Sequence, residues 1–410
     1  MGANWANRTI FTGDNLDVMR GMNSDSVDLI YLDPPFNSNQ NYKAPIGSPA
    51  EGAGFKDIWT LDDVKLEEHG ELAERNPALY TLIDAAGLTH GKSMKAYLIG
   101  MGVRLLEMQR LLKHTGSIYL HCDPTASHYL KLVMDATFGA VGFCNEIVWY
   151  YRGAGVPKRA RARRHDILLF YAQSSDDYFF DPDPIRQEYA EATKNRFKYH
   201  IGNVRGDRDY GTQKLNPKGK HPDDVITHIQ PIAPSSRDRL GYPTQKPLKL
   251  LFDIIDSSSK QGDIVLDPFC GCATACVAAE DLRREWVGID ESPKAAELVI
   301  QRFTGTKQLT LLANRIIHRT DIPQRTDLGK LPNYRTHKHT LFGRQEGLCT
   351  GCGHAFPFRN FTVDHIIPQV RGGTDHLDNL QLLCGACNSM KGNGTMAELK
   401  VKLRKAGILR

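Results

Sequence analysis

Along the first three hundred residues, short apolar runs that end in turns alternate with longer segments whose apolar positions recur at helical spacing. The run Leu29-Ile30-Tyr31-Leu32 has no polar interruption, which predicts a strand buried on both faces, and it stops in Asp33-Pro34-Pro35-Phe36. Upstream, Thr9-Ile10-Phe11 predicts a short strand ending at Gly13-Asp14-Asn15, with a helix to about Met22. From Ser93 onward, Met94, Tyr97, Leu98, Met101, Leu105, Met108 and Leu112 predict a helix with one buried face. Strand-like runs follow over 116–122, 146–151 and 165–172. A helix over about 247–259 precedes the buried run Asp263-Ile264-Val265-Leu266-Asp267. An alanine-rich helix then continues to about Arg284, and Trp286-Val287-Gly288-Ile289-Asp290 predicts a further strand. Strands alternating with helices predict an α/β fold built on a doubly wound, mostly parallel sheet.

Three stretches break this pattern. Residues 43–92 are rich in Gly, Pro and acids, Glu67, Glu68, Glu71 and Glu74 among them, and predict an excursion with some helix over the active face. Residues 173–240 are polar and irregular, with Tyr178, Phe179, Phe180, Tyr189, Phe197 and Tyr199 interspersed among lysines and arginines, which fits a recognition region better than a core. Residues 304–340 show no clear periodicity and read as an extended connector. The expected division is therefore a body over 1–303, with a recognition region at about 173–240, a connector over 304–339 and a small module over 340–410.

Composition narrows the choices. The chain has 410 residues, 41% of them apolar and 24% charged, an ordinary balance for a soluble globular protein. No run of about 18 apolar residues occurs, so no membrane partner is expected. Met1-Gly2-Ala3-Asn4-Trp5 lacks a basic and then apolar leader, so no export signal is expected. The net charge of +5 is unevenly spread: residues 335–410 hold 11 Lys+Arg against 5 Asp+Glu, while the remainder is near neutral. A basic module on a neutral body suggests a polyanionic partner. Residues 152–164 add a second basic stretch, six cations in thirteen residues, suited to phosphates. Of nine cysteines, Cys349, Cys352, Cys384 and Cys387 form two C-x-x-C pairs separated by 31 residues, a four-thiolate zinc pattern. The other cysteines are scattered, which favours a reducing compartment and a cytoplasmic location.

The turns at the ends of the predicted strands carry chemistry. Asp33-Pro34-Pro35-Phe36 offers a carboxylate, carbonyls with no paired N–H, and an aromatic face, which are the groups that a flat, amine-bearing ring needs. Asp267-Pro268-Phe269-Cys270-Gly271 opens a helix with small residues, letting backbone N–H groups approach a ligand, and Asp290 ends the next strand, where an acid accepts hydrogen bonds from ribose hydroxyls. Those features suit any nucleoside cofactor. Neither G-x-G-x-x-G nor a P-loop Gly-Lys-Ser/Thr is present, and a turn that begins with a carboxylate suits a cationic ligand such as S-adenosylmethionine better than a pyrophosphate.

Over residues 7–303 the chain resembles the amino-methylating DNA methyltransferases, which transfer a methyl group from S-adenosylmethionine to N6 of adenine or N4 of cytosine. Asp33-Pro34-Pro35-Phe36 resembles their catalytic motif, Asp267-Pro268-Phe269-Cys270-Gly271 their cofactor loop, and Tyr242-Pro243-Thr244-Gln245-Lys246-Pro247 the motif before that loop. The catalytic motif lies upstream of the cofactor loop, an order that resembles the permuted β group. The resemblance implies a circularly permuted, Rossmann-like methyltransferase fold. It also implies that Asp267 faces the cofactor's ammonium, that Phe269, Gly271 and Thr274 line the loop, and that Thr244 and Lys246 meet the methionine end. Asp290 would take the ribose hydroxyls and Asp14 would lie beside the adenine. Asp33 and the Pro34 carbonyl would accept the two N–H hydrogens of a flipped base, with Pro35 fixing the turn and Phe36 stacking on the ring. The family commonly has Gly-Ser-Gly-Thr where this chain has Gly271-Cys272-Ala273-Thr274, which puts the loop's detailed geometry in question.

Residues 340–394 resemble the HNH nucleases, with Val363-Asp364-His365-Ile366, Gly372-Gly373, Asn379-Leu380 and Cys387-Asn388 at the characteristic places. This resemblance implies a zinc-bound ββα-metal module in which His365 activates water, Asn379 orients it, and Asp364 and Asn388 hold Mg2+ or Mn2+. The expected function is methylation of double-stranded DNA, adenine N6 foremost because of Asp33 and Phe36, by a chain whose HNH module nicks or cleaves DNA. N4-cytosine methylation, a nuclease with a methyltransferase-like sequence reader, and a non-enzymatic S-adenosylmethionine-responsive DNA binder are the alternatives. A homodimer is carried as an open expectation.

Overall fold

The computed structural model describes residues 2–409 apart from 154, 198–201, 206–207, 213, 237, 305–315, 328–332 and 374–378. Tyr199 of the aromatic recognition region and much of the connector lie outside the described residues. The strands in chain order are β1 (Thr9–Thr12), β2 (Val27–Leu32), β3 (Gln40–Lys43), β4 (Gly54–Asp57), β5 (Leu112–Cys122), β6 (Phe143–Tyr150), β7 (His165–Ala172), β8 (Gly202–Arg205), β9 (Arg208–Thr212), β10 (Val225–Ile226), β11 (Ile264–Asp267), β12 (Glu285–Asp290), β13 (Ile317–Arg319), β14 (Phe361–His365) and β15 (Leu380–Cys384). Nine of them form one sheet in the order β10-β6-β7-β5-β2-β11-β12-β1-β13. All neighbours are parallel except β7, which runs antiparallel to both β5 and β6.

The apolar runs explain the layering. In β2, Ile30 and Leu32 enter one core and Leu29 and Tyr31 the other; β7 divides likewise, Ile167, Leu169 and Tyr171 against Leu168 and Phe170. The first core is covered by the helices Asn15–Gly21, Lys92–Leu111 and Ser127–Phe138, the second by Leu248–Ser258, Thr274–Asp281 and Pro293–Thr304. A strand buried on both faces must be apolar throughout, which is why these runs carry no alternation. β2 and β11 lie side by side, Leu29 opposite Val265 and Ile30 opposite Leu266. From β2 the chain moves to β5 on one side; from β11 it moves to β12 on the other. The carboxyl ends of β2 and β11 therefore flank the sheet's switch point, where ligands bind in such folds.

The stretches without periodicity take more structure than expected. Residues 43–92 contain part of the β3–β4 hairpin and the helices Leu66–Arg75 and Pro77–His90. The connector expected over 304–340 is not simply extended. β13 pairs with β1, and Asn23 and Ser24 hydrogen-bond to Thr326 and Asp327, which straps this segment to the body. The helix Asn333–Arg344 then crosses the expected boundary at 339/340 and packs on Leu66–Arg75. Ala73 shares a core there with Leu341, Phe342, Phe358 and Leu382, and His339 pairs with Glu74 at 2.5 Å. The C-terminal module itself is the antiparallel pair β14–β15 followed by the helix Gly385–Lys391, a ββα unit.

Candidate active site

One cavity of about 620 Å³ opens at the switch point. Asp14, Asp33, Pro34, Pro35, Phe36, Thr244, Lys246, Asp267, Phe269, Gly271, Thr274 and Asp290 all line it, so residues more than two hundred positions apart in sequence share one surface. Asp33 leaves β2 directly into the proline turn. Its Oδ2 accepts from Lys246 Nζ at 2.5 Å, whereas its Oδ1 is buried and meets no polar partner. The same ammonium lies 5.6 Å from the Phe36 ring centre. A carboxylate with one unused oxygen is an acceptor waiting for a donor, because an orphaned buried oxygen otherwise costs about 1–3 kcal/mol.

Around the second turn, backbone geometry is the organising feature. Gly271 has φ +50°, and a Cβ there would stand 2.7 Å from the Tyr242 ring, so only glycine fits. Ala273 adopts φ 55°, ψ 43° and caps the helix Thr274–Asp281; the loop therefore takes a glycine-like conformation at an alanine, at some strain. Thr244 has φ +59°, unusual for a β-branched residue, and sits on the cavity wall. The Asp290 Oδ2 accepts from Gly271 N at 2.8 Å and its Oδ1 from Ser292 N at 2.8 Å. Burial outweighs those bonds and lifts its carboxyl to about 6. Burial also holds Asp267 well above the ordinary carboxylate value, with Asp33 and Asp290 adding repulsion. Acids outnumber cations on the lining, with Asp14, Asp33, Asp267 and Asp290 among them and Lys246, Lys56 and Arg104 the cations, an arrangement that suits a cationic ligand.

Several contributors carry no sequence motif. Arg104, in the interior of the long helix Lys92–Leu111, donates to Asp14 Oδ1 at 2.8 Å and Asn15 Oδ1 at 2.7 Å, and Asn15 in turn donates to the Pro268 carbonyl at 2.7 Å. Burial alone would raise Asp14, but Arg104 and Lys65 pull its carboxyl below the usual range. Asp57, 1% exposed, accepts from Asn37 N, Ser38 N and Ser38 Oγ at 2.6, 2.9 and 2.5 Å, clamping the backbone that leaves the proline turn. The ring of His121 lies nearly parallel to Phe36, at 6.2 Å and 25°. The left-handed Asn37 and Asn39, whose side chains tolerate that region, were the available hint that the backbone reverses there.

In the C-terminal module the ligand atoms of Cys349, Cys352, Cys384 and Cys387 lie within 4.8 Å of one another. Four thiolates around zinc at bonds of about 2.3 Å stand about 3.8 Å apart, so the donor set and spacing fit a tetrahedral metal. The Cys384 N–H donates to Cys349 Sγ at 3.2 Å, as a thiolate requires. Asp364 and His365 end β14, and Asn379 clamps Ile367 through both backbone groups, N–H at 2.9 Å and C=O at 3.0 Å, shaping the turn beyond the histidine. Asn388 is half-buried on the following helix. The Asp364 carboxylate, expected to face a divalent cation, accepts from Gln381 at 2.8 Å and from Lys391 Nζ at 3.1 Å; that lysine side chain is 1% exposed. Any divalent ion there must displace an ammonium.

Comparison with known proteins bears on both parts. Residues 27–301 match the N6/N4 DNA methylase family, and residues 349–394 match the HNH endonuclease family. The Type II methyltransferase M.EcaI of Enterobacter cloacae is 30% identical over 260 residues, 51% of this chain and 57% of that protein, so the chain spans just over half of that relative. The DNA adenine methyltransferase YhdJ of Escherichia coli (strain K12) is 25% identical over 297 residues, 72% of this chain and 82% of that protein. Among solved structures, the PvuII DNA methyltransferase (cytosine-N4-specific) is 16% identical with a TM-score of 0.44, over 78% of this chain and 96% of that one. With two thirds of its length matched, the chain belongs to the N6/N4 DNA methylase family and carries an HNH endonuclease domain over 349–394.

Proposed function

We propose that the body over 1–303 is an S-adenosylmethionine-dependent DNA methyltransferase acting on the exocyclic amine of a base flipped from the duplex, adenine N6 foremost. The observation that carries this reading is Asp33, which lines the shared cavity beside Phe36 and keeps one carboxylate oxygen, the buried Oδ1, without a polar partner. An aromatic amine is a poor nucleophile because its lone pair is delocalised into the ring. Asp33 and the Pro34 carbonyl accept its two N–H hydrogens, which favours a more tetrahedral nitrogen, and Phe36 holds the ring by stacking. When bound, the cofactor supplies an electrophilic methyl group on a sulfonium. The acidic lining fits that cation: Asp267 would meet the ammonium, Asp290 the ribose hydroxyls and Asp14 the adenine edge, with Phe269, Gly271 and Thr274 forming the loop. Lys246 and Thr244 hold the methionine end. Lys246 pairs with Asp33 here and would also suit the cofactor carboxylate, a partner that would free Asp33 for the base.

Duplex DNA is the matching substrate, drawn by the basic stretch over 152–164 and the basic module. Arg152, Lys158, Arg159 and Arg161 on that stretch are exposed. In the module we assign zinc to the four cysteines. His365, half-exposed at the end of β14, supports a nuclease role in which it takes the proton of an attacking water. Asp364 and Asn388 would hold Mg2+ or Mn2+, which neutralises phosphate charge, once Lys391 yields. Digestion of treated DNA to nucleosides tests the main reading: N6-methyladenine is expected, N4-methylcytosine would move the assignment to cytosine, and absence of both would reject it. Nicking of supercoiled DNA that requires a divalent ion and disappears in His365→Ala is expected for the module; cutting that survives the substitution would remove His365 from its role.

A further inference from the structure

Beneath the catalytic turn, three neighbouring strands contribute one hydrogen-bonded row. His121 near the end of β5 is fully buried, with Nδ1 3.0 Å from the Tyr31 hydroxyl on β2 and Nε2 3.1 Å from Asp166 Oδ2 on β7. The Tyr151 hydroxyl donates to the other oxygen of Asp166 at 3.0 Å. An ionised carboxylate only accepts, so Nε2 carries a proton toward Asp166, and in the neutral ring Nδ1 accepts from Tyr31. Burial, with nearby carboxylates, keeps the Tyr31 hydroxyl protonated, as that role requires. Burial pushes Asp166 up, but the bond from His121, the charge of Lys246 and the bond from Tyr151 bring it below the ordinary value, consistent with an ionised acceptor.

The row fixes His121 on both edges, leaving its face for something else. That face lies against Phe36, rings 6.2 Å apart and 25° from parallel, while Trp149 meets the imidazole edge-on at 5.7 Å and 89°. An aliphatic residue would fill the space but could not be pinned from two sides, and a phenyl ring would leave Tyr31 and Asp166 without their partner. The choice of an imidazole in a fully buried place is therefore explained by holding a second ring at a set angle. We propose that His121 is a positioning residue for methyl transfer: Tyr31 and Asp166 fix the imidazole, the imidazole fixes Phe36, and Phe36 sets the plane of the flipped base relative to Asp33. This rests on the methyltransferase reading, and it adds a residue that touches neither base nor cofactor.

The test measures single-turnover transfer to unmodified duplex at saturating DNA and S-adenosylmethionine, and separately the fluorescence of a duplex with 2-aminopurine at the target position once sequencing of methylated DNA has located it. His121→Ala is expected to slow transfer at least tenfold and to reduce the 2-aminopurine signal, with cofactor and DNA dissociation constants within twofold of the parent. His121→Asn, which keeps a donor toward Asp166, is expected to recover part of the rate. Should His121→Ala not fold, Tyr31→Phe and Asp166→Asn carry the test and are expected to slow transfer without weakening cofactor binding. A folded His121→Ala with the parent rate, or a loss matched by weaker cofactor binding, overturns the proposal. Absence of transfer by the parent chain would instead reject the methyltransferase reading itself.

Discussion

Ala273 is the residue at which this chain departs from its family's usual loop, and its left-handed backbone is the structural consequence. The L side chain costs about 1 kcal/mol in that region. Ala273→Gly is thus expected to raise unfolding free energy by about 1 kcal/mol in urea titration, and unchanged or lower stability would mean the loop relaxes elsewhere. Asp290 makes a pH prediction. Its carboxyl is raised to about 6, so it is neutral below that pH and a carboxylate above it. Ribose hydroxyls donate best to the ionised form, so S-adenosylmethionine affinity is expected to fall as pH drops through about 6, approaching tenfold per unit. Asp290→Asn should flatten that part of a calorimetric profile over pH 5–7; an unchanged slope would remove Asp290 from the cofactor contact. At this scale Asp33, Asp267 and Asp290 were legible because each is an acid ending an apolar run. Asp57, Arg104 and His121 were not, because an acid in a hairpin, an arginine in a helix and a histidine in a strand acquire meaning only from partners distant in sequence.

Elements buried in the sheet were the most readable, β7 residue for residue, because burial on both faces leaves an uninterrupted apolar signature. The docking of Asn333–Arg344 on Leu66–Arg75 left no comparable trace. The acidic helix looks solvent-facing by composition, yet Glu74 pairs with His339 and Glu71 with Arg20 and Arg75. Gly70 permits the close approach: a Cβ there would lie 2.3 Å from the His339 carbonyl oxygen. Gly70→Val is expected to cost at least about 2 kcal/mol at this contact and to expose the helix Asn333–Arg344 to proteolysis, while methyl transfer persists. Resistance equal to the parent would show the contact to be dispensable. The cysteine cluster yields a second test at this scale. Cys387→Ser, or chelation, is expected to remove one equivalent of zinc by mass spectrometry and to loosen the β14–β15 module. A full zinc complement in the variant would refute the four-thiolate site.

Across the whole molecule, the sheet's switch point brings a carboxylate from residue 33 and a loop from residue 267 to one cavity, which the permuted order of motifs anticipated. The HNH domain is packed on the body: Leu341, Phe342, Phe358 and Leu382 share a core with Ala73 of the helix Leu66–Arg75. The mostly parallel sheet and the cysteine pairs were legible in the sequence pattern and the junction was not, because the junction is made of polar helices and one glycine rather than a long apolar run. The account stands on the acceptor role of Asp33. Transfer of labelled methyl from S-adenosylmethionine to unmethylated DNA by Asp33→Ala, measured in a single turnover beside its DNA and cofactor affinities, tests that role most directly. The account predicts a rate lowered at least a hundredfold with DNA binding retained; transfer at the parent rate would contradict it.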